Sequence, residues 1–473
     1  MAKGLQLLIE KYRYPITVVL GLLFLTGYFQ IYANNAEVQP PKAERGVLDL
    51  RRWDFERQGV LSLEGEWEFY WEKLLSPQDL KQYLNAYPYP VERPGGYLSV
   101  PGLWNGRSVE QEGKVVNLSG QGFATYRLTI LTQTTDQLLG LKLLDFATSY
   151  RLWVNGKLVA VNGQVGKTPA ETIPQAFPLL VTFAQPTDRI ELVLQIANFS
   201  HSKGGIWTEM KLGTAGQIQR LREQAVTKNY FFTGGLVIMA VYHLGLYFLR
   251  RKDRSPFFCS MLCLLIAIRS ATTGETFILN IWPTLNWSAL YRLQYLSFYL
   301  AIPVFIQFIY LLFPQETGRG LVKASWLIAG LFSLPVLVRP ALVYSKYIIW
   351  YELYTVLILV HVLIFILGRA LYRRREGAGF FLLGTAAIIF TAVNDILVAN
   401  DVLYGPYIVD TGLFIFIFCQ TMVLSARFSR SFTTVERLSE ELQAALGQLE
   451  TVNRTLEDKV QERTRELEQA TAA

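Results

Sequence analysis

The stretch NYFFTGGLVIMAVYHLGLYFLRRKDR, residues 229–254, divides the chain into two chemically different halves. Residues 229–249 are mainly apolar, and a helix of that length crosses the roughly 30 Å hydrocarbon core of a bilayer. Residues 250–254 carry four cations. Because Lys and Arg accumulate on the cytoplasmic side of membranes, the stretch predicts a membrane helix whose C-terminal end lies inside the cell.

Six further apolar runs come after this stretch, and each is long enough to be a transmembrane helix. Clusters of Lys and Arg lie in alternate connections, after the first, third, fifth and seventh runs. The loop RPALVYSK, residues 339–346, is an exception with two basic residues. The overall bias predicts that those four connections are cytoplasmic and the other loops are outside. The seven predicted helices cover approximately residues 229–249, 256–279, 288–313, 321–339, 346–371, 378–399 and 406–428.

The overall composition agrees with a membrane protein. The 473 residues are 51% hydrophobic, and the mean hydropathy of +0.24 is high for a soluble protein. The net charge of +7 comes from basic residues beside apolar runs, so membrane orientation explains it better than nucleic-acid binding. Residues 1–36 have a basic start and an apolar run. We predict a signal anchor there, with a cleaved signal peptide as the alternative, and either would export the residues after it.

Residues 37–225 contain no apolar run of membrane length, and we predict an extracytoplasmic all-β domain there. Short runs such as GFATYRLTILT, residues 122–132, are rich in β-branched and aromatic residues and are separated by Gly, Pro and Asn. The dipeptide Asn155-Gly156 between two such runs is a strong hairpin signal. Many short strands with tight turns predict a β-sandwich over about residues 45–215.

The tail, residues 429–473, is charged and has a heptad pattern. Two successive spacings of four, which end at Val460, interrupt the pattern as a stutter and would locally unwind a coiled coil. We predict a parallel homodimeric coiled coil through residues 435–467. The alternative is an amphipathic helix on the membrane surface, and the many acidic residues argue against it. The predicted seam consists of Leu438, Leu442, Ala445, Leu449, Val452 and Leu456.

The residues have no pattern typical of a catalytic or metal site. Cys259, Cys263 and Cys419 lie in apolar runs, which is typical of buried small side chains. His243 and His361 lie in different predicted membrane helices. A phosphate-binding glycine loop and a nucleophile elbow are both missing. We therefore predict no enzyme activity, no metal and no cofactor within these residues.

The stretch NFSHSKGGIW, residues 198–207, has the composition of a ligand-binding loop. A sugar is bound by such a mixture of polar groups and an aromatic face. The alternative is a structural loop whose Trp closes the edge of the sandwich. The nearby hairpin contributes further candidates. The candidate ligand-binding residues are Asn155, Asn198, His201, Lys203 and Trp207, with Trp153 behind them.

Ionisable residues inside the predicted membrane helices need partners, because an unpaired charge there costs several kcal/mol. Arg269 lies on the second run and Asp395 on the sixth. Their pairing would form a transmembrane switch, and the alternative is polar contact that holds helices together. Glu275 and Glu352 are expected near the outer surface, where they need no partner.

The exported β-domain, seven helices and cytoplasmic coiled coil together resemble the bacterial seven-transmembrane receptors with diverse intracellular signalling modules (7TMR-DISM). Residues 48–77, 122–130, 150–166 and 198–207 look like the extracellular jelly-roll sensor domain of that family, which is similar to galactose-binding-type jelly rolls. The resemblance implies a carbohydrate or a related small ligand. LEDKVQERTRELEQA, residues 456–470, looks like the linker before a histidine kinase, diguanylate cyclase or nucleotide cyclase domain.

We therefore expect a signalling receptor in a bacterial inner membrane, in contact with membrane lipid and not with nucleic acid. It would sense a glycan or other small ligand outside and signal to an effector in cis or in trans, as in a two-component system. The alternatives are a transporter with a substrate-capturing outer domain and a ligand-independent envelope anchor. The predicted organisation is an N-terminal anchor (1–36), a β-sandwich sensor (37–225), a seven-helix domain (226–428) and a coiled-coil helix (429–473).

Overall fold

The computed structural model describes residues 40–85, 96–133, 135–185, 187–375, 377–399 and 408–471. The predicted signal anchor lies outside the described residues. The described residues form two compact units, one that comprises those up to residue 358 and one that comprises residues 359–399 and 408–471.

The described part of the first unit begins with a β-domain, in which strands of two to ten residues alternate with turns. Two short helices, α1 (Phe55–Gln58) and α2 (Pro77–Asn85), interrupt the strands. The strands are β1 (Val47–Asp49), β2 (Leu61–Ser62), β3 (Gly65–Trp71), β4 (Gly96–Val100), β5 (Gly102–Leu103), β6 (Ser108–Gln111), β7 (Lys114–Asn117), β8 (Gly122–Leu131), β9 (Thr135–Leu143), β10 (Ser149–Val154), β11 (Lys157–Asn162), β12 (Leu179–Gln185), β13 (Arg189–Asn198), β14 (Gly205–Ile206) and β15 (Lys211–Thr214).

These strands form two main sheets. The larger sheet has the order β11-β10-β13-β8-β3-β4, and β1 pairs with β8 in parallel. The smaller sheet has the order β12-β9-β15-β2, and β5 with β14 and β6 with β7 form separate pairs. Apart from β1 with β8, the pairings of these strands are antiparallel, as short strands joined by tight turns allow.

Side chains from both sheets share one buried core. Trp67 and Phe69 of β3, Tyr126 of β8 and Leu141 of β9 are fully buried in it. Complete burial of a side chain such as Phe69 stabilises the fold by about 1.5–3 kcal/mol. The predicted β-domain is confirmed. Its classification as a galactose-binding-like jelly roll stays a prediction.

The β-domain leads directly into the first apolar helix, α3 (Ala215–Leu249). Thr214 and Gln217 form a capping box, in which each side chain bonds the backbone N–H of the other residue. The predicted domain boundary at residue 226 therefore lies inside this helix. The rest of the first unit contains α4 (Ser255–Thr272), α5 (Ile278–Ile281), α6 (Trp287–Leu312), α7 (Arg319–Val338), α8 (Ala341–Tyr344), a 3₁₀ turn (Ser345–Tyr347) and the start of α9 (Ile348–His361).

The second predicted run, residues 256–279, is shorter as a helix than its apolar residues indicate. Helix α4 ends at Thr272, and positive φ angles at Gly274 (64°) and Thr276 (49°) turn the chain before α5. A turn in the left-handed region cannot continue an α-helix. Glu275 consequently lies in a connecting loop.

The second unit contains a π-helical turn (Val362–Leu367), α10 (Gly368–Tyr372), α11 (Ala378–Ala399) and α12 (Val409–Thr471). Helices α11 and α12 pack closely where glycines lie between them. A Cβ atom added to Gly384 would lie 3.0 Å from the Cα atom of Phe416. Small residues at such positions allow membrane helices to approach each other.

Six segments within the described residues are long and apolar enough to cross a membrane, by length and composition. This confirms a group of about six apolar helices after the β-domain. The seventh predicted run coincides in part with a shorter apolar segment, Thr411–Val423, of α12. A seventh span therefore stays a prediction. The six segments are Ala215–Leu249, Ser255–Thr272, Trp287–Leu312, Arg319–Val338, Ala341–Tyr372 and Ala378–Leu397.

Helix α12 continues without interruption from its apolar start into the charged tail and is 63 residues long. Along the tail, the side chains of the predicted seam are exposed: Leu449 is 63% exposed and Leu456 is 59% exposed. The predicted helix is present. Its pairing into a coiled coil stays a prediction.

Candidate ligand site

The loop after β13 is held in shape by one buried side chain, that of Asn198. Its Nδ2 atom lies 2.8, 2.8 and 3.0 Å from the carbonyl oxygens of Gly120, His201 and Lys203. Its Oδ1 atom accepts a hydrogen bond of 3.1 Å from the backbone N–H of His201. These bonds use the polar atoms of Asn198 within the protein, so this residue positions the loop.

His201 connects this loop to a membrane helix. Its Nδ1 atom accepts a hydrogen bond from the backbone N–H of Lys203, and its Nε2 atom lies 3.3 Å from the hydroxyl oxygen of Tyr295 on α6. We assign the ring proton to Nε2, because Nδ1 is an acceptor. Burial lowers the pKa of His201 to about 4, with a further contribution from the charge of Lys203. The ring is therefore neutral at physiological pH.

Lys203 and Trp207 lie beside each other. The Nζ atom of Lys203 is 5.8 Å from the ring centroid of Trp207, within the range of a cation–π contact. Trp207 donates its Nε1–H to the carbonyl oxygen of Phe146 at 3.0 Å. The hydrogen bond to Phe146 thus holds the Trp207 ring in the β-domain beside Lys203.

The other two predicted residues, Asn155 and Trp153, lie elsewhere. Asn155 occupies the β10–β11 turn with φ of 50°, and its Oδ1 accepts from the backbone N–H of Glu191. Trp153 packs with Tyr70, Leu80 and Val193. Strand pairing places this hairpin tip beside Glu191, roughly 20 Å along β13 from Asn198. The predicted set is therefore divided between two places on the domain.

A cavity of about 540 Å³ opens between this loop and the ends of helices in the first unit. The β-domain contributes Ser202 and Lys203 from the loop, together with residues 105 and 119–121. Lys346 and Glu352 line the opposite side, from the 3₁₀ turn and the start of α9. Of the residues predicted to bind ligand, Lys203 lines this cavity.

The prediction from sequence missed most of the residues that line this cavity. Asn105 and Gln121 lie in short turns, and their sequence neighbourhood gives no signal of a shared site. Glu352 stood out as an ionisable residue in an apolar run, and it was expected to need no partner. Its position beside two lysines in one cavity depends on tertiary structure.

Two buried polar contacts also join the β-domain to the loops and helices of the first unit. Lys142 of β9 forms an ion pair with Glu275, and their side chains are 9% and 7% exposed. The expectation that Glu275 needs no partner is therefore wrong, because it is buried against the domain. Asp145 accepts a hydrogen bond of 2.5 Å from the hydroxyl of Tyr291 on α6. Burial raises the pKa of Asp145 to about 6.

A second cavity, of about 650 Å³, lies nearby between the β-domain and residues 279–290. Its polar lining comes from uncharged side chains, among them Gln164, Gln175 and Asn286. The two cavities therefore differ in the charge that they present.

The two ionisable residues of the predicted membrane switch have other partners. Arg269 donates from Nη1 to the carbonyl oxygen of Gln294 at 3.0 Å, and its guanidinium carbon lies 4.6 Å from the ring centroid of Phe298. Asp395 accepts hydrogen bonds from the backbone N–H groups of Ile408 and Val409, at the start of α12. A pairing of Arg269 with Asp395 stays a prediction.

Comparison with solved structures gives matches to about a third of the chain at low similarity. Beta-glucuronidase from Faecalibacterium prausnitzii is 16% identical with a TM-score of 0.23, and the match covers 33% of this chain and 31% of that one. GH2 beta-galacturonidase from Eisenbergiella tayi is 16% identical with a TM-score of 0.21, and the match covers 32% and 24%. The chain thus spans less than a third of the length of these enzymes. At these TM-scores, the likeness carries no argument about a ligand.

Comparison with curated proteins gives no match. A family model described as 7TM diverse intracellular signalling matches residues 227–427. That match confirms the resemblance seen in the sequence, and it agrees with a multi-pass membrane protein.

Proposed function

We propose that this chain, whose residues 227–427 match the 7TM diverse intracellular signalling family, is a transmembrane signalling receptor. The β-domain senses a small ligand, such as a carbohydrate, outside the bacterial inner membrane. The helices pass the signal to the tail, which pairs as a coiled coil and controls an effector in cis or in trans. No chemical reaction is assigned to these residues.

The observation that carries this proposal is the direct contact between the candidate ligand loop and membrane helices. His201 contacts Tyr295 of α6, and the backbone N–H of Ser202 donates to the hydroxyl oxygen of Ser345 at 3.1 Å. A ligand shifts a conformational equilibrium only by its difference in affinity for the two states. A loop that touches both the cavity and the helices is placed to couple ligand binding to the arrangement of the helices.

The orientation rests on two independent patterns. The distribution of Lys and Arg predicts that the connections around residues 273–287 and 339–347 are outside. The β-domain contacts Glu275, Tyr291 and Ser345, which lie in or beside those same connections. Both patterns support a β-domain outside and a tail in the cytoplasm.

Disulfide crosslinking of the tail tests signal transmission without a known ligand. We would introduce Leu449→Cys on the predicted seam and Arg454→Cys away from it, and measure crosslinking of the full chain in native membranes. Cys259, Cys263 and Cys419 are buried and give little background. A receptor with a paired tail should crosslink through position 449 severalfold faster than through position 454.

A substitution in the ion pair between Lys142 and Glu275 then disturbs the β-domain in place of a ligand. Glu275→Gln leaves a buried lysine unpaired, which disturbs the contact between β-domain and helices. For a receptor, Glu275→Gln should alter crosslinking at position 449. The double variant Lys142→Glu with Glu275→Lys exchanges the two charges, keeps an ion pair and should crosslink like the parent chain. Unchanged crosslinking in Glu275→Gln would instead favour a ligand-independent anchor. Substrate uptake into vesicles would favour a transporter.

A further inference from the structure

The cavity between the candidate ligand loop and the helices contains charged groups that form no ion pair within the described residues. Within the part of the chain that the structure describes, the Nζ atom of Lys346 and the carboxylate of Glu352 make no hydrogen bond or ion pair. The Nζ atom of Lys203 has the Trp207 ring as its neighbour and likewise makes no ion pair. Two ammonium groups and one carboxylate therefore give the cavity a net positive charge.

We propose that this cavity is the sensory site and that its ligand is a small, hydroxyl-bearing organic anion such as a sugar acid. This inference rests on the proposed receptor function and adds the place and the chemistry of recognition. Lys203 and Lys346 bind the anionic group as point charges, because an ammonium donates in several directions. Glu352 accepts hydrogen bonds from ligand hydroxyls, because an ionised carboxylate acts as acceptor.

The uncharged lining suits hydroxyl groups. Asn105 donates from Nδ2 to the carbonyl oxygen of Ser202 at 2.7 Å and accepts at Oδ1 from the N–H of Gly204 at 2.9 Å. One N–H and one lone pair of its amide remain for a ligand. Ile348 and Ile349 supply an apolar surface for the carbon skeleton. A cavity of about 540 Å³ is within the range of small-molecule sites.

The β-domain side of the cavity is already formed. Asn198 fixes the loop from behind, and the backbone N–H of Trp104 donates to the carbonyl oxygen of Gly204 at 3.0 Å. A Cβ atom at Gly204 would lie 2.1 Å from the Nε1 atom of Trp104, so only glycine fits this close approach. Because the loop is held before binding, little free energy is lost in ordering it.

The two sides of the cavity belong to different elements, which explains how occupancy would produce a signal. Lys203 lies on the β-domain and Lys346 on the 3₁₀ turn before α9. An anion held by both lysines reduces the repulsion between them and favours the conformation in which the two sides are close. The uncharged second cavity has no such preference for an anion.

Binding to the full chain in lipid nanodiscs tests the proposal, with D-gluconate, D-glucuronate and D-galacturonate as acids and D-glucose as the neutral control. We expect at least one acid to raise the melting temperature and to bind at least tenfold more tightly than glucose. Lys203→Met and Lys346→Met should each weaken that binding about tenfold, the size of one charge contact. Lys157→Met, at the exposed β10–β11 hairpin, should leave it unchanged.

Three results would overturn the proposal: no binding by any of the acids, glucose bound as tightly as the acids, or acid binding unchanged in both lysine variants. The crosslinking experiment uses no ligand. It can therefore succeed while these measurements fail, which separates an error in the ligand from an error in the receptor function.

Discussion

Single residues in the ligand loop have roles that their chemistry alone could not assign. Asn198, His201 and Lys203 are all polar, and the sequence predicted one shared role for them. The structure divides that role, because Asn198 and His201 are buried and hydrogen-bonded within the protein whereas Lys203 lines the cavity. Composition indicates which residue types a site needs. Burial in the folded protein decides which of those side chains can contact a ligand.

Asp145 and His201 should make the free energy of unfolding depend on pH in opposite directions. The pKa of Asp145 is raised to about 6, so its stabilising contribution is present below its usual pKa of 3.8 and is lost as pH rises through 6. The pKa of His201 is lowered to about 4, so its contribution is present above 6.5 and is lost as pH falls towards 4. The titratable neighbours of Asp145 are Tyr150 and Tyr291.

The isosteric variant Asp145→Asn separates the two effects. It should remove the decline in the free energy of unfolding between pH 5 and 7 that we expect of the full chain in nanodiscs, a difference on the order of 1–2 kcal/mol. Melting temperatures measured across this pH range report the change. The decline on the acid side, to which His201 contributes, should remain. If both variant and parent decline equally above pH 5, Asp145 is not the group responsible.

At the scale of helices and strands, the apolar runs predicted where the helices lie, and local backbone angles explain where the second of them ends. Runs of apolar residues located the helices, because length and hydropathy are local properties. They extended the second helix beyond its end, because Gly274 and Thr276 adopt positive φ. The ion pair between Lys142 and Glu275 joins residues far apart in sequence, and no period reveals such a contact.

Two glycines of α12 should respond in opposite ways to the same substitution. A Cβ atom at Gly412 would lie 2.0 Å from the Oγ1 atom of Thr391 on α11, whereas at Gly447 it meets nothing within 4 Å. Ala is favoured over Gly inside a helix by about 1 kcal/mol. Gly447→Ala should therefore stabilise the helix by up to that amount.

The matching Gly412→Ala should lower the melting temperature of the full chain, because α11 and α12 must separate to admit the methyl group. Thr391→Ala in the Gly412→Ala background should recover part of the loss, since it removes the hydroxyl that the methyl group meets. Equal responses at positions 412 and 447 would mean that close packing of the two helices does not limit stability.

At the scale of the whole molecule, charge pattern and contacts both support the proposed topology. The basic clusters at residues 250–254 and 373–375 belong to connections predicted to be inside. The contacts of the β-domain fall on the alternate connections, at Glu275 and beside Ser345. An opposite orientation would place the basic clusters outside and the β-domain in the cytoplasm, against the common charge bias of membrane proteins.

Thiol labelling tests this topology. Cysteines introduced by Lys157→Cys in the exposed β10–β11 hairpin and by Arg454→Cys in the exposed tail should differ in access to a membrane-impermeant maleimide. In intact spheroplasts, position 157 should react at once and position 454 only after the membrane is permeabilised. Reaction of both positions from the outside would contradict the orientation. It would also remove the basis for a cavity that binds an external anion and a tail that reports its occupancy to the cytoplasm.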